Sequence, residues 1–234
     1  MMFSIDTNLV LGVVNPLDRL ANKSIKLIRK EIKKNKLIIF ISVITESKET
    51  FLKKYNKSFT KVFEIFQEAD NKTDDELERI HIFWGKFNEL KQENKDLLNF
   101  INLVYIFIKP FVQQWDIQGA FRCLTSYGLA ASNTIPEILS KEIGHNIKFF
   151  NLEFNKKVSE EVTDIKDMIS SHVKFKDLPD KNIFVEIVLY SIHGKEDLKF
   201  YSDDKEFMGT SNIVFAKILE ESRYSHNKID FSRI

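Results

Sequence analysis

Short apolar runs alternate with longer stretches of helical spacing at both ends of this chain. Phe3-Ser4-Ile5 stops at Asp6-Thr7-Asn8, and Leu9 to Val14 then make a helical turn or two before Asn15-Pro16 breaks them. From Leu17 to about Lys34, the residues Leu20, Ile25, Leu27, Ile28 and Ile32 recur at roughly helical intervals. Leu37-Ile38-Ile39-Phe40-Ile41 is a β-branched and aromatic run with polar residues on either side, the pattern of a buried parallel strand. Ser42 leads from it into a helix carrying Ile44, Phe51, Leu52 and Tyr55. Strand signals return at Ile147-Lys148-Phe149-Phe150-Asn151-Leu152 and at Leu198-Lys199-Phe200-Tyr201. Around them, Val158, Val162, Ile165 and Ile169, the apolar stretch from Ile183 to Tyr190, and the set Ile213, Phe215, Ile218 and Leu219 predict three more helices. Strands alternating with helices predict an α/β fold with a central parallel sheet.

Between about 59 and 146 the strand signal disappears. Phe63, Ile65 and Phe66 continue one helix, and Leu77, Ile80, Phe83, Trp84 and Phe87 mark a second. Leu97 to Phe107 is apolar on most sides, as in a helix buried within a bundle, and Lys109-Pro110 is expected to end it. A short helix should start at Pro136 and stop at Gly144. The predicted organisation is therefore a discontinuous α/β domain over 1–58 and 147–222, a helical insertion over 59–146, and a loosely ordered polar tail over 223–234.

Composition narrows the picture only a little. Hydrophobic residues make up 43% of the 234 and charged residues 29%, an ordinary globular balance, and the net charge of +1 leaves room only for a local nucleic-acid footprint. One such patch is visible: between Lys23 and Lys36 seven Lys or Arg residues face one acid, Glu31. Lys26, Arg29, Lys30 and Lys33 are the candidate phosphate contacts, although a solvated basic face has the same pattern. The single Cys123 excludes an internal disulfide and a multi-cysteine zinc site, and fits a reducing cytosol. His81 and His145 have no partner at metal-ligand spacing. The N-terminus carries no secretory pattern and the longest apolar stretch is too short to cross a bilayer, so a cytoplasmic protein without membrane contact is expected.

Candidate chemistry lies in the acids. Asp6, Glu46, Asp180 and Asp204 each follow a strand end or open a helix. Any one of them alone reads as a helix cap or as a complement to the helix dipole. Four of them in an alternating chain suggest a shared site, because parallel strands present their carboxyl ends along one edge of the sheet. Carboxylates gathered there repel one another unless a cation compensates, and an all-oxygen donor set without clustered Cys or His favours Mg²⁺ or Mn²⁺. Such a site can activate water and stabilise the leaving oxygen of a phosphodiester.

Ser4-Ile5-Asp6-Thr7-Asn8, the acid-bearing helix from Ser42 to Glu49, Asp180-Lys181-Asn182-Ile183 and Ser202-Asp203-Asp204-Lys205-Glu206-Phe207 stand in the order of the four signatures of the PIN-domain superfamily, which the chain resembles over 1–58 and 147–220. The resemblance implies a compact α/β/α fold and a Mg²⁺- or Mn²⁺-dependent ribonuclease, with RNA as substrate and single-stranded DNA as the alternative. It also implies the partners of toxin-like members, an antitoxin or other protein, or a second copy in a homodimer. Carried over, Asp6, Glu46, Asp180 and Asp204 are the catalytic metal-binding acids. Asn8 and Ser202 support them, Asp203 and Glu206 are adjacent spares, and Glu49 is the rival of Glu46. The alternative is a noncatalytic PIN-like binding or scaffold module acting through its helical insertion. A phosphatase with Asp6 as nucleophile would want an acid where Asn8 stands.

Overall fold

The computed structural model describes residues 1–144, 147–150, 156–172, 175, 177–221 and 224–234. It is an α/β protein whose five strands form one parallel sheet. In chain order the elements are β1 (Met2–Ile5), α1 (Thr7–Val14), α2 (Ala21–Glu31), β2 (Lys36–Phe40) and α3 (Ile41–Lys72). Next come α4 (Glu76–Glu93), α5 (Leu98–Gln113), α6 (Ile117–Asn133), α7 (Ile135–Ile143) and β3 (Lys148–Phe150). The chain finishes with α8 (Lys156–His172), α9 (Leu178–His193), β4 (Leu198–Ser202), α10 (Lys205–Glu221) and β5 (Ile229–Arg233). The sheet order is β3-β2-β1-β4-β5, which puts β1, the earliest strand, in the centre. Among the described residues no helix is long and apolar enough to cross a membrane.

Two compact units divide the chain. The first comprises 1–14, 20–47 and 136–234, and the second 15–19 and 48–135. In the first, β1 is buried along its whole length, as a central parallel strand must be. Its register sets Met2 beside Lys36 on one side and Leu198 on the other, and Ile5 beside Tyr201. Phe200, next to Ser4 in that register, packs on Phe40 at 6.2 Å, on Phe207 of α10 at 5.8 Å and on Phe231 at 6.2 Å between ring centroids. Tyr201, pointing to the opposite side as successive strand residues do, is buried as well.

The second unit is a helical bundle with an aromatic core. Phe51, Tyr55, Phe66, Phe83 and Phe87 are all almost wholly enclosed. The Tyr55 hydroxyl donates to the Leu124 carbonyl at 2.8 Å, and its ring lies 2.5 Å from where a Cβ on residue 128 would project, so that position needs glycine.

Two expectations fail here. The 223–234 segment is not simply a loose tail: 229–233 form β5, paired in parallel with all five residues of β4. Burial of Ile229 and ring contacts from Phe231 to Phe184, Phe200 and Phe215 hold it there. Nor does Lys109-Pro110 end the helix, because α5 runs on to Gln113 with Pro110 inside it. Val112, completely buried one half-turn later, supplies packing that offsets the hydrogen bond Pro110 cannot make. Of the 147–152 strand signal, 148–150 form β3, while 151–152 lie outside the described residues, as does His145.

Candidate functional site

Asp6 is fixed by two elements at once. Its backbone amide continues the ladder to the Tyr201 carbonyl at 3.0 Å, and its Oδ1 accepts the Leu9 amide at 3.1 Å, capping α1. Its Oδ2 accepts a hydrogen bond from Ser202, the buried last residue of β4. The same Ser202 oxygen accepts the Asp204 amide at 2.9 Å, so one hydroxyl ties the first acid to the fourth. Asp204 in turn caps α10, its Oδ1 accepting the amides of Glu206 and Phe207 at 2.8 and 2.9 Å.

Asp180 is released from capping. The cap of α9 is Asp177, whose Oδ1 accepts the Asp180 amide at 3.1 Å, which leaves Asp180 in the first helical turn. Glu46 is held by the Thr7 hydroxyl, which donates to its Oε2 at 2.5 Å. The start of α3 is anchored by the Glu186 carboxylate of α9, which accepts the Ser42 amide at 3.0 Å.

These elements bring all four acids to one small cavity of about 40 Å³, lined also by Thr7, Asn8, Ile183 and Phe207. Burial pushes the Asp6 carboxyl up to about 7 against the hydrogen bonds from Ser202 and Leu9, and the charges of Glu46 and Asp204 add to the rise. Asp180 is pushed up to about 7 as well, by burial first and then by Asp177, Glu46, Asp204 and Asp6. The carboxylates therefore act on one another as a group. Even so, among the described residues no three Asp, Glu, His or Cys side chains are arranged to hold a metal ion. The donors themselves are all oxygen, the ligand type of hard divalent cations.

Of the supporting residues, Ser202 bonds two of the acids and exposed Asn8 lines the cavity. Glu49 is exposed and is not among the lining residues, while Asp203 is half-buried and Glu206 is exposed in the first turn of α10. None of Lys26, Arg29, Lys30 and Lys33 lines the cavity. Lys26, Arg29 and Lys30 lie on α2, whose end feeds through Lys33 into Lys36 at the start of β2, beside Met2. Met2 and Lys36 mark the edge opposite Asp6, four strand residues or ~13 Å away.

Two contributors were missed in the sequence. Thr7 holds Glu46 across 39 residues, a contact no local pattern encodes. Asp177 caps α9 and adds to the rise at Asp180, and the run Asp177-Leu178-Pro179, with Pro in the first helical turn, was the available signal. No family model matches the chain, and neither does any curated protein or solved structure.

Proposed function

We propose that this protein is a Mg²⁺- or Mn²⁺-dependent endonuclease that hydrolyses phosphodiester bonds, with RNA as its main substrate, on a three-layer PIN-like fold. The observation that carries this reading is the convergence of Asp6, Glu46, Asp180 and Asp204, from four separate parts of the chain, on one cavity where Asp6 and Asp180 are pushed up to about 7. Carboxylates that resist ionisation so strongly are the groups a bound cation would relieve. Those four residues would hold the cation, which supplies an activated water and charge stabilisation for the leaving oxygen.

The chain's own part follows from its contacts. Ser202 orients Asp6 and fixes the backbone at Asp204. Asn8 offers an amide at the cavity for a phosphate oxygen, and Ile183 and Phe207 form an apolar wall that limits water. A cavity of about 40 Å³ has no room for a nucleotide, so the nucleic acid would lie across its mouth. Lys181 and Lys205, each directly after one of the acids, join Lys26, Arg29, Lys30 and Lys33 as candidate phosphate contacts.

The test is cleavage of labelled RNA and single-stranded DNA with and without Mn²⁺. Cation-dependent cleavage, lost in Asp6→Asn and Asp204→Asn, is the expected result. No cleavage of either polymer, or equal cleavage by Asp6→Asn, would end the nuclease reading. A second reading, a noncatalytic binding or scaffold module, is favoured by the lack of any three-ligand grouping among the described residues. It requires that calorimetry detect no Mn²⁺ binding.

A further inference from the structure

Glu46 sits in the second turn of α3, half-buried, with three side-chain torsions to fix before its carboxylate can face the cavity. Two contacts limit that freedom. Glu186 receives the first turn of α3 through the Ser42 amide, and Glu186 lies on α9, the helix that also carries Asp180. The backbone that bears Glu46 is therefore referenced to the helix that bears the third acid.

The tip of Glu46 is set from the other direction. Thr7 opens α1 directly after Asp6 and is only 6% exposed. At the first position of a helix no carbonyl one turn earlier is available inside the helix for back-bonding, so the hydroxyl reaches outward. It donates to Glu46 Oε2 at 2.5 Å. Thr7 is thereby coupled along the backbone to Asp6 and through its side chain to Glu46.

We propose that Thr7 is a positioning residue that aims Glu46 at the acid-lined cavity and so makes Glu46, rather than Glu49, the second acid of the site. This rests on the metal-dependent reading above. A hydroxyl is all that the role requires, so serine serves equally and valine, of the same shape, does not. Partners that orient a metal-binding side chain in this way typically alter metal affinity by about 10- to 100-fold when removed.

Mn²⁺ binding, read by calorimetry and by the electron paramagnetic resonance of the bound ion, tests the assignment in the wild type, Thr7→Val, Thr7→Ser, Glu46→Ala, Asp204→Asn and the Thr7→Val/Glu46→Ala double variant. Circular dichroism checks that each is folded. Thr7→Val should bind about tenfold more weakly, with a changed resonance. Thr7→Ser should restore binding, and Thr7→Val should cost nothing further once Glu46 is already Ala. Wild-type affinity in Thr7→Val, failure of Thr7→Ser to rescue, or an undiminished loss in the double variant overturns the role of Thr7. If Asp204→Asn abolishes binding while Thr7→Val leaves it intact, only Thr7 is overturned. If the wild type takes up no Mn²⁺, both this role and the metal-dependent reading fall.

Discussion

Asp6→Asn should have opposite effects on stability at high and low pH. The Asp6 carboxyl is raised from 3.8 to about 7 in the folded protein. Between those values the folded state holds a proton that the unfolded state has released, so stability falls as pH rises and levels off above about 7. At pH 8 the full penalty is about 4 kcal/mol, at roughly 1.4 kcal/mol per pKa unit. Asn removes the charge and keeps an oxygen for the Leu9 amide, but its amide faces the Ser202 hydroxyl less well, at a cost of about 1–2 kcal/mol. The variant should therefore be more stable than wild type by about 2 kcal/mol at pH 8, or roughly 5 °C in Tm, and less stable by about 1–2 kcal/mol near pH 4. The assay is urea unfolding in chelator followed by hydrogen exchange of β1 and β4 peptides, because both tryptophans, Trp84 and Trp115, lie in the helical unit. A variant destabilised equally at both pH values would refute the reasoning and leave Asp6 as a helix cap alone.

The same linkage predicts how a cation acts. Protons compete for Asp6 and Asp180 below about 7, so saturating Mn²⁺ should raise Tm more at pH 8 than at pH 5. At a hundredfold excess over Kd the gain is about 2.7 kcal/mol, and an equal or larger gain at pH 5 contradicts the assignment. Away from the site, Phe231→Ala removes ring contacts to Phe184, Phe200 and Phe215 and should cost about 2 kcal/mol by thermal melting. An unchanged melt would mean that β5 adds little to the sheet.

What the sequence made legible tracks how local each cause is. β1, β2 and β4 read clearly because a strand buried on both faces is apolar at nearly every position. β5 did not, because its two apolar residues, Ile229 and Phe231, stand in a polar segment and their alternation is too short to register without β4 beside them. Pro110 misled for the complementary reason: the burial of Val112 that carries α5 past it is tertiary. At the site, the shared edge of Asp6, Glu46 and Asp204 was legible because each follows a parallel strand, whereas Asp180 opens a helix that follows another helix. Of the contacts that orient the acids, that of Ser202 was anticipated through the resemblance, whereas those of Thr7 and Asp177 were not, because periodicity does not encode them.

The basic residues show how far topology alone can carry a functional reading. In a parallel sheet every connection must return the chain to the edge where strands begin. A residue just before a strand therefore lies at the edge opposite one just after it. Lys33 and Lys36 precede or open β2, whereas Lys181 and Lys205 follow acids that open α9 and α10. Clustering along the sequence made 23–36 conspicuous, yet it is position relative to the strand ends that decides which cations stand near the carboxylates. Lys205, exposed in the first turn of α10, directly follows Asp204. Lys181 already donates to Ser170 at 2.6 Å and would have to exchange that partner to take part.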